Sequence, residues 1–131
     1  MQRVTKYRAW DISEQCWINI SKMVFGEEGE LWYLQSYDEN ENEIDLPYFE
    51  NETNWILMQC AGLKDKNGVD VYEGDIVTYR SVYKWNDKIK KGVVKFSNGM
   101  FNPGNVIGWG KNGTCEVIGN IYENPELLEV K

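Results

Sequence analysis

Residues 57–77 admit little besides short strands and tight turns. Trp55 to Cys60 is an apolar run of strand length, and Gly62 is expected to stop it. Asp65-Lys66-Asn67-Gly68 then has the chemistry of a tight turn: Asp bonds its own downstream backbone, and Asn or Gly takes φ > 0. Val69 and Val71 follow at a spacing of two and are expected on one strand face. Glu73-Gly74-Asp75 breaks the chain again, with Gly74 supplying the bend and the Asp75 carboxylate accepting backbone N–H groups. Ile76-Val77 opens the next strand, expected to run to Arg80. Strands this short, joined by turns this tight, are the grammar of small all-β folds, barrels among them.

The same residues carry a family likeness. Leu63-Lys64-Asp65-Lys66-Asn67-Gly68 with Tyr72-Glu73-Gly74-Asp75-Ile76-Val77 resembles the YopX family of phage and prophage proteins. So does Lys6-Tyr7-Arg8-Ala9-Trp10-Asp11 near the start, and so does the run from Val117 through Asn120, Glu123 and Pro125 to Leu128 near the end. The three stretches stand in the family's order and span nearly the whole chain. The resemblance implies a mainly β protein with a C-terminal SH3-like barrel, encoded by a temperate phage or prophage of a low-GC Gram-positive host. It implies no catalytic or binding residues, because the family is named by similarity and not by activity. Residues 26–54 and 79–91 match none of the family's patterns, so what is particular to this chain is expected there.

Composition narrows the function. The chain has 131 residues and no histidine, which removes the usual general base, the commonest metal ligand and every Ser-His or Cys-His pair. A non-enzymatic protein without cofactor or metal is expected. Cys16, Cys60 and Cys115 are odd in number and widely spaced, and read as reduced, mostly buried thiols. No apolar run approaches the ~20 residues of a membrane span, and the N-terminus lacks the apolar core of a signal peptide. A cytoplasmic protein that avoids membranes follows as the expectation. The net charge of −7 is unevenly spread: residues 1–10 carry +3, residues 11–56 carry −11 and residues 57–131 carry +1.

These contrasts predict one YopX-like domain in two lobes, an N-terminal antiparallel β lobe over 1–56 and an SH3-like barrel over 57–131. In the first lobe, Arg3 to Trp10 reads as a strand and Cys16 to Phe25 as its single partner. Gly26-Glu27-Glu28-Gly29 reads as a turn and Leu31 to Gln35 as a short strand. Asp38 to Asp45 has the composition of a mobile, solvated loop. Its carboxylates do not make an EF-hand, which needs a glycine at the sixth loop position. In the second lobe, Ser97-Asn98-Gly99 between apolar runs predicts a hairpin. Residues 102–114 read as a long loop over one barrel mouth, and Cys115 to Tyr122 as the closing strand. Asn124-Pro125-Glu126 has the order of an N-cap, a first helical proline and a first-turn acid, predicting a short terminal helical turn docked through Leu127 and Leu128.

The candidate binding surface lies in the basic, aromatic-laced segment and the long loop: Tyr83, Lys84, Trp85, Lys88, Lys90, Lys91 and Trp109. Read as a protein-binding module for a host or phage partner, the chain would use Tyr83, Trp85 and Trp109. Read as a nucleic-acid binder, it would stack bases on the aromatics of residues 79–95 and set the lysines against phosphates. The plainer reading of the lysines is that their charge keeps an edge strand from pairing with another chain. A third reading makes the acids of residues 38–52 an imitation of DNA that occupies a basic host protein. Edge strands also leave room for a homo-oligomer.

Overall fold

A computed structural model describes residues 6–48, 54–80, 89–97, 100–102 and 115–128. Among these are twelve strands and one 3₁₀ turn, so the protein is nearly all β, as its turn-punctuated sequence predicts. The strands are β1 (Tyr7–Asp11), β2 (Cys16–Ile18), β3 (Lys22–Phe25), β4 (Leu31–Tyr37), β5 (Glu43–Pro47) and β6 (Trp55–Lys64). They continue with β7 (Asp70–Tyr72), β8 (Asp75–Arg80), β9 (Ile89–Val93), β10 (Lys95–Ser97), β11 (Met100–Asn102) and β12 (Cys115–Asn120). The chain divides into two compact units, Arg8–Leu57 and Met1–Tyr7 with Met58–Lys131, so the first unit is inserted in sequence within the second.

In the unit Arg8–Leu57, β1 and β2 form an antiparallel pair with Trp10 opposite Trp17, and the two indoles meet edge to face at 4.9 Å. A second sheet has the order β3-β4-β5. Met23 and Leu46 flank Leu34 there, and Leu34, fully buried, forms a core with Ala9 and Trp55. The single strand expected over residues 16–25 is therefore two, β2 paired with β1 and β3 paired with β4. The break is stabilised from a distance. The Ser21 N–H donates to the Gln35 carbonyl at 2.8 Å, and the Ser36 hydroxyl donates to the Asn19 carbonyl at 2.7 Å. Backbone groups that leave one sheet are thus satisfied by the next.

The acidic run is also not the mobile loop that its composition predicts. The Asp38 carboxylate accepts the N–H groups of Asn40 (2.8 Å) and Asn42 (2.9 Å), tying residues 38–42 into a turn with Glu41 at φ 64°. Those donors, Asn42 first, hold its carboxyl below the usual carboxylate range. Glu43 then enters β5, a strand that ends on Pro47 at the outside of its sheet, where a missing N–H is tolerated.

In the other unit β8 lies between β12 and β9, and β6 pairs with β7. Val71, Val77, Val94 and Cys115 form its buried core. β6 does not stop at Gly62 but runs on to Lys64 through a register shift that leaves two extra residues on β6, with Gly62 at φ 82° within it. Val69 and Val71 do not share a face: Val69 is still in the turn and exposed, whereas Val71 is fully buried in β7. β10 and β11 form the hairpin that Asn98-Gly99 predicts, with Ser97 opposite Met100. The terminal turn is 3₁₀, over Pro125–Leu128. Asn124 does not cap it with its side chain, which instead accepts the Asn120 N–H at 3.3 Å. Leu127 lies over Gly119 and Leu128 remains exposed, so one leucine docks and not two.

The three cysteines are free, two of them buried. Burial, followed by the nearby charges of Asp65 and Asp75, pushes the Cys115 thiol up to about 11. An aromatic disulfide reagent at about pH 8 should therefore react fast with Cys16 alone and with Cys60 and Cys115 only on unfolding. Release of more than one equivalent of chromophore in the first rapid phase would contradict this burial.

Candidate binding surface

A concave feature among the described residues lies wholly in the unit Arg8–Leu57. It is a groove of about 950 Å³ over Leu31, Trp32, Tyr48, Trp55 and the start of β6, with Glu30 on its rim. Its position follows from the sheet. The Tyr48 N–H donates to the Trp32 carbonyl at 2.9 Å, which extends the β4–β5 ladder beyond Pro47. Trp32 is the extra residue where the β3–β4 register shifts, between Tyr33, opposite Val24, and Leu31, opposite Phe25. Leu34 is sealed in the core, while Trp32 at this irregularity is 53% exposed. Trp55 forms the floor, 8% exposed, with the Tyr48 ring 5.8 Å away and tilted by 60°.

Trp32 is held in place. Its indole N–H donates to Oε1 of Glu30 at 3.1 Å, and Oε2 of Glu30 accepts the Glu28 N–H at 3.1 Å. The Gly26 N–H donates to the Glu30 carbonyl at 2.8 Å, closing the turn from which Glu30 projects. A Cβ on Gly26 would stand 2.0 Å from Oε1 of Glu30 and 2.6 Å from Nε1 of Trp32. A side chain there would have to displace the Glu30 carboxylate from the Trp32 indole, so the turn Gly26 to Gly29 shapes the groove as well as reversing the chain. An exposed tryptophan with its polar atom already satisfied presents a rigid apolar face at small entropic cost.

The residues that the sequence singles out are placed differently. Tyr83, Lys84, Trp85, Lys88 and Trp109 lie outside the described residues. Lys90 and Lys91 are exposed on β9, at the outside of the sheet β12-β8-β9. The Lys91 ammonium donates to the Leu127 carbonyl, so this lysine ties β9 to the terminal turn. Trp32, Tyr48 and Trp55 have no place in the sequence-derived surface. The local signal for them was slight: Glu30 stands two residues before Trp32, the spacing that lets a strand-entry carboxylate reach an indole N–H.

The carboxylates that the turns bury are framework. Both oxygens of Asp65 accept backbone N–H groups: Oδ1 from Asn67 (2.8 Å) and Val69 (2.9 Å), Oδ2 from Val117 (2.9 Å). Burial pushes its carboxyl up, but the donors of Val117, Val69 and Asn67, aided by Lys66, outweigh burial and hold it below the usual range. Asp75, 2% exposed, accepts the Tyr72 N–H at 2.8 Å, as the Gly74 bend predicts. Among the described residues no three His, Cys, Asp or Glu side chains are grouped to hold a metal.

These bonds knit distant stretches together. Asp70 bridges Lys6 and Lys64, both at 2.9 Å; Asp65 reaches Val117; and the Ile121 N–H donates to the Gly74 carbonyl at 2.9 Å. Lys6, the first residue of the likeness at the start of the chain, and the stretches at its middle and end thus meet in one unit. The YopX family profile, described as YopX protein, matches residues 6–129. The chain belongs to the YopX family. It is 30% identical over 138 aligned residues, covering 95% of this chain and 96% of the relative, to a protein of Bacillus subtilis (strain 168) named "SPbeta prophage-derived uncharacterized protein YopX". Among solved structures it is similar to protein EF1440 from Enterococcus faecalis, with a TM-score of 0.64 and 26% identity, over 98% of this chain and 100% of that one. In this YopX-family chain the residues of the middle stretch include a turn carboxylate, Asp65, and a bend at Gly74-Asp75.

Proposed function

We propose that this YopX-family protein is a non-enzymatic binding module of prophage origin that takes a peptide segment of another protein in the groove over Trp32, Tyr48 and Trp55. The observation that carries this reading is Trp32, half exposed yet fixed by Glu30 at the mouth of an aromatic-floored groove. Large, ordered aromatics in concave sites are where binding energy concentrates. The lack of histidine, the usual general base, supports binding in place of catalysis. Among the described residues no helix is long and apolar enough to cross a membrane, in keeping with action in the host cytoplasm. In this reading β8, flanked by β12 and β9, belongs to the SH3-like barrel, which serves as frame and not as the binding face.

Nucleic acid is the weaker partner. Of the lysines proposed to meet phosphates, the described Lys91 is engaged with the Leu127 carbonyl. The unit that holds the groove carries twelve acids against two bases, which repels a polyanion.

Selection of displayed random peptides on the intact protein tests the reading. Enriched peptides are expected to bind Trp32→Ala at least about tenfold more weakly, the loss typical of an aromatic anchor. Enriched peptides that bind wild type and Trp32→Ala equally would overturn it, as would a selection that enriches nothing.

A further inference from the structure

We infer that the groove selects a basic segment: apolar side chains rest on Leu31 and Trp55 while a Lys or Arg side chain lies across the Trp32 ring with its charge on Glu30. This rests on the proposed binding groove and adds the chemistry of its occupant.

Three observations point the same way. Glu30 is exposed at the groove rim, and its two oxygens each accept one N–H, from Trp32 and Glu28. A carboxylate has about four acceptor positions, so both oxygens retain room for a further donor. Next, the carboxylate that takes the Trp32 N–H polarises the indole, and the ring face is where a cation is attracted, tryptophan being the strongest of the aromatics in this respect. A lysine or arginine stem also covers apolar surface while its head reaches the charge. Finally, residues 8–57 hold Arg8 and Lys22 against twelve acids, a net charge of −10. Glu27 and Glu28 stand exposed in the same turn as Glu30. An acidic segment is repelled by this field, and so is a second copy of the same unit, which would set −10 against −10. A basic partner is drawn to it.

The test measures fluorescence polarisation of three labelled peptides on the full chain. Each is four repeats of a triplet: Lys-Leu-Ser, Gln-Leu-Ser or Glu-Leu-Ser. The lysine peptide is expected to bind at least about tenfold more tightly than the glutamine peptide, and the glutamate peptide not at all. Its affinity should fall as salt rises from about 50 to about 500 mM, as screening predicts. Trp32→Ala should weaken it about tenfold, and Glu30→Gln, which keeps an oxygen for the Trp32 N–H, should remove most of its lead over the glutamine peptide. Equal binding of lysine and glutamine peptides, still lost in Trp32→Ala, would overturn the charge selection while leaving the groove. Lysine-peptide binding unaffected by both substitutions would show a diffuse acidic surface and overturn the inference. No Trp32-dependent binding of any peptide would overturn the inference and the groove together.

Discussion

Asp65→Ala is expected to lower the unfolding free energy by about 3–5 kcal/mol, because it strips acceptors from three partly buried backbone N–H groups at once. Two of those donors, Asn67 and Val69, close the turn itself; the third, Val117, belongs to β12. The substitution therefore loosens the turn and its attachment to a strand far along the chain. Asp65→Asn should fall between wild type and alanine, since an amide offers one acceptor oxygen where the carboxylate offers two. Urea unfolding of the three proteins measures this, and an alanine variant within about 1 kcal/mol of wild type would contradict it. The effect carries a pH signature. A carboxyl held below its ordinary value near 3.8 gives stability that is fully present above that value and is lost as pH falls through the lower, folded one. Wild type should thus lose stability on acidification below about pH 4, and the alanine variant should lose less over that range.

Leu34→Ala should cost about 2–5 kcal/mol, the usual price of truncating a leucine with no exposed surface. Leu34 sits at the centre of the Arg8–Leu57 core, with Met23 and Leu46 opposite it on the neighbouring strands. The unit holds four of the six tryptophans, Trp10, Trp17, Trp32 and Trp55, so intrinsic fluorescence reports mainly on its unfolding. A fluorescence midpoint that hardly moves would mean the site repacks without a cavity. Trp32→Ala provides the contrast. Its side chain is half exposed, so stability should change by no more than about 1 kcal/mol while peptide binding falls. Leu34→Ala and Trp32→Ala, two residues apart on one strand, are thus expected to separate folding from the proposed peptide binding.

What the sequence reveals here follows the range of the interaction. The turn at Asp65 to Gly68 is legible because Asp65 bonds to residues two and four positions ahead. The β10–β11 hairpin is legible because Asn-Gly between apolar runs is a strong short-range turn signal. The division of residues 16–25 is not, because the groups that satisfy it, Gln35 and Ser36, arrive from another strand. The acidic run misleads because composition counts charges, whereas one carboxylate, Asp38, gathers enough backbone donors to order the turn. The groove is hidden most deeply. Of four tryptophans in its unit, nothing local tells that Trp55 is floor and Trp32 is rim; that depends on where Tyr48 and β6 come to lie. The second role of Asp65 is equally invisible, since Val117 is 52 positions away.

The inserted unit leaves its frame at Tyr7 and rejoins it at Met58, and one residue outside that span on one side and two on the other, the Lys6 carbonyl accepts the Cys60 N–H at 2.8 Å. The frame's two cut ends are therefore pinned together whatever lies between them. The crossings at 7/8 and 57/58 fall within β1 and β6, so the chain leaves the frame and returns to it through two unbroken strands, while the turn carboxylate of Asp65 and the Asp70 bridge are ties of the frame itself.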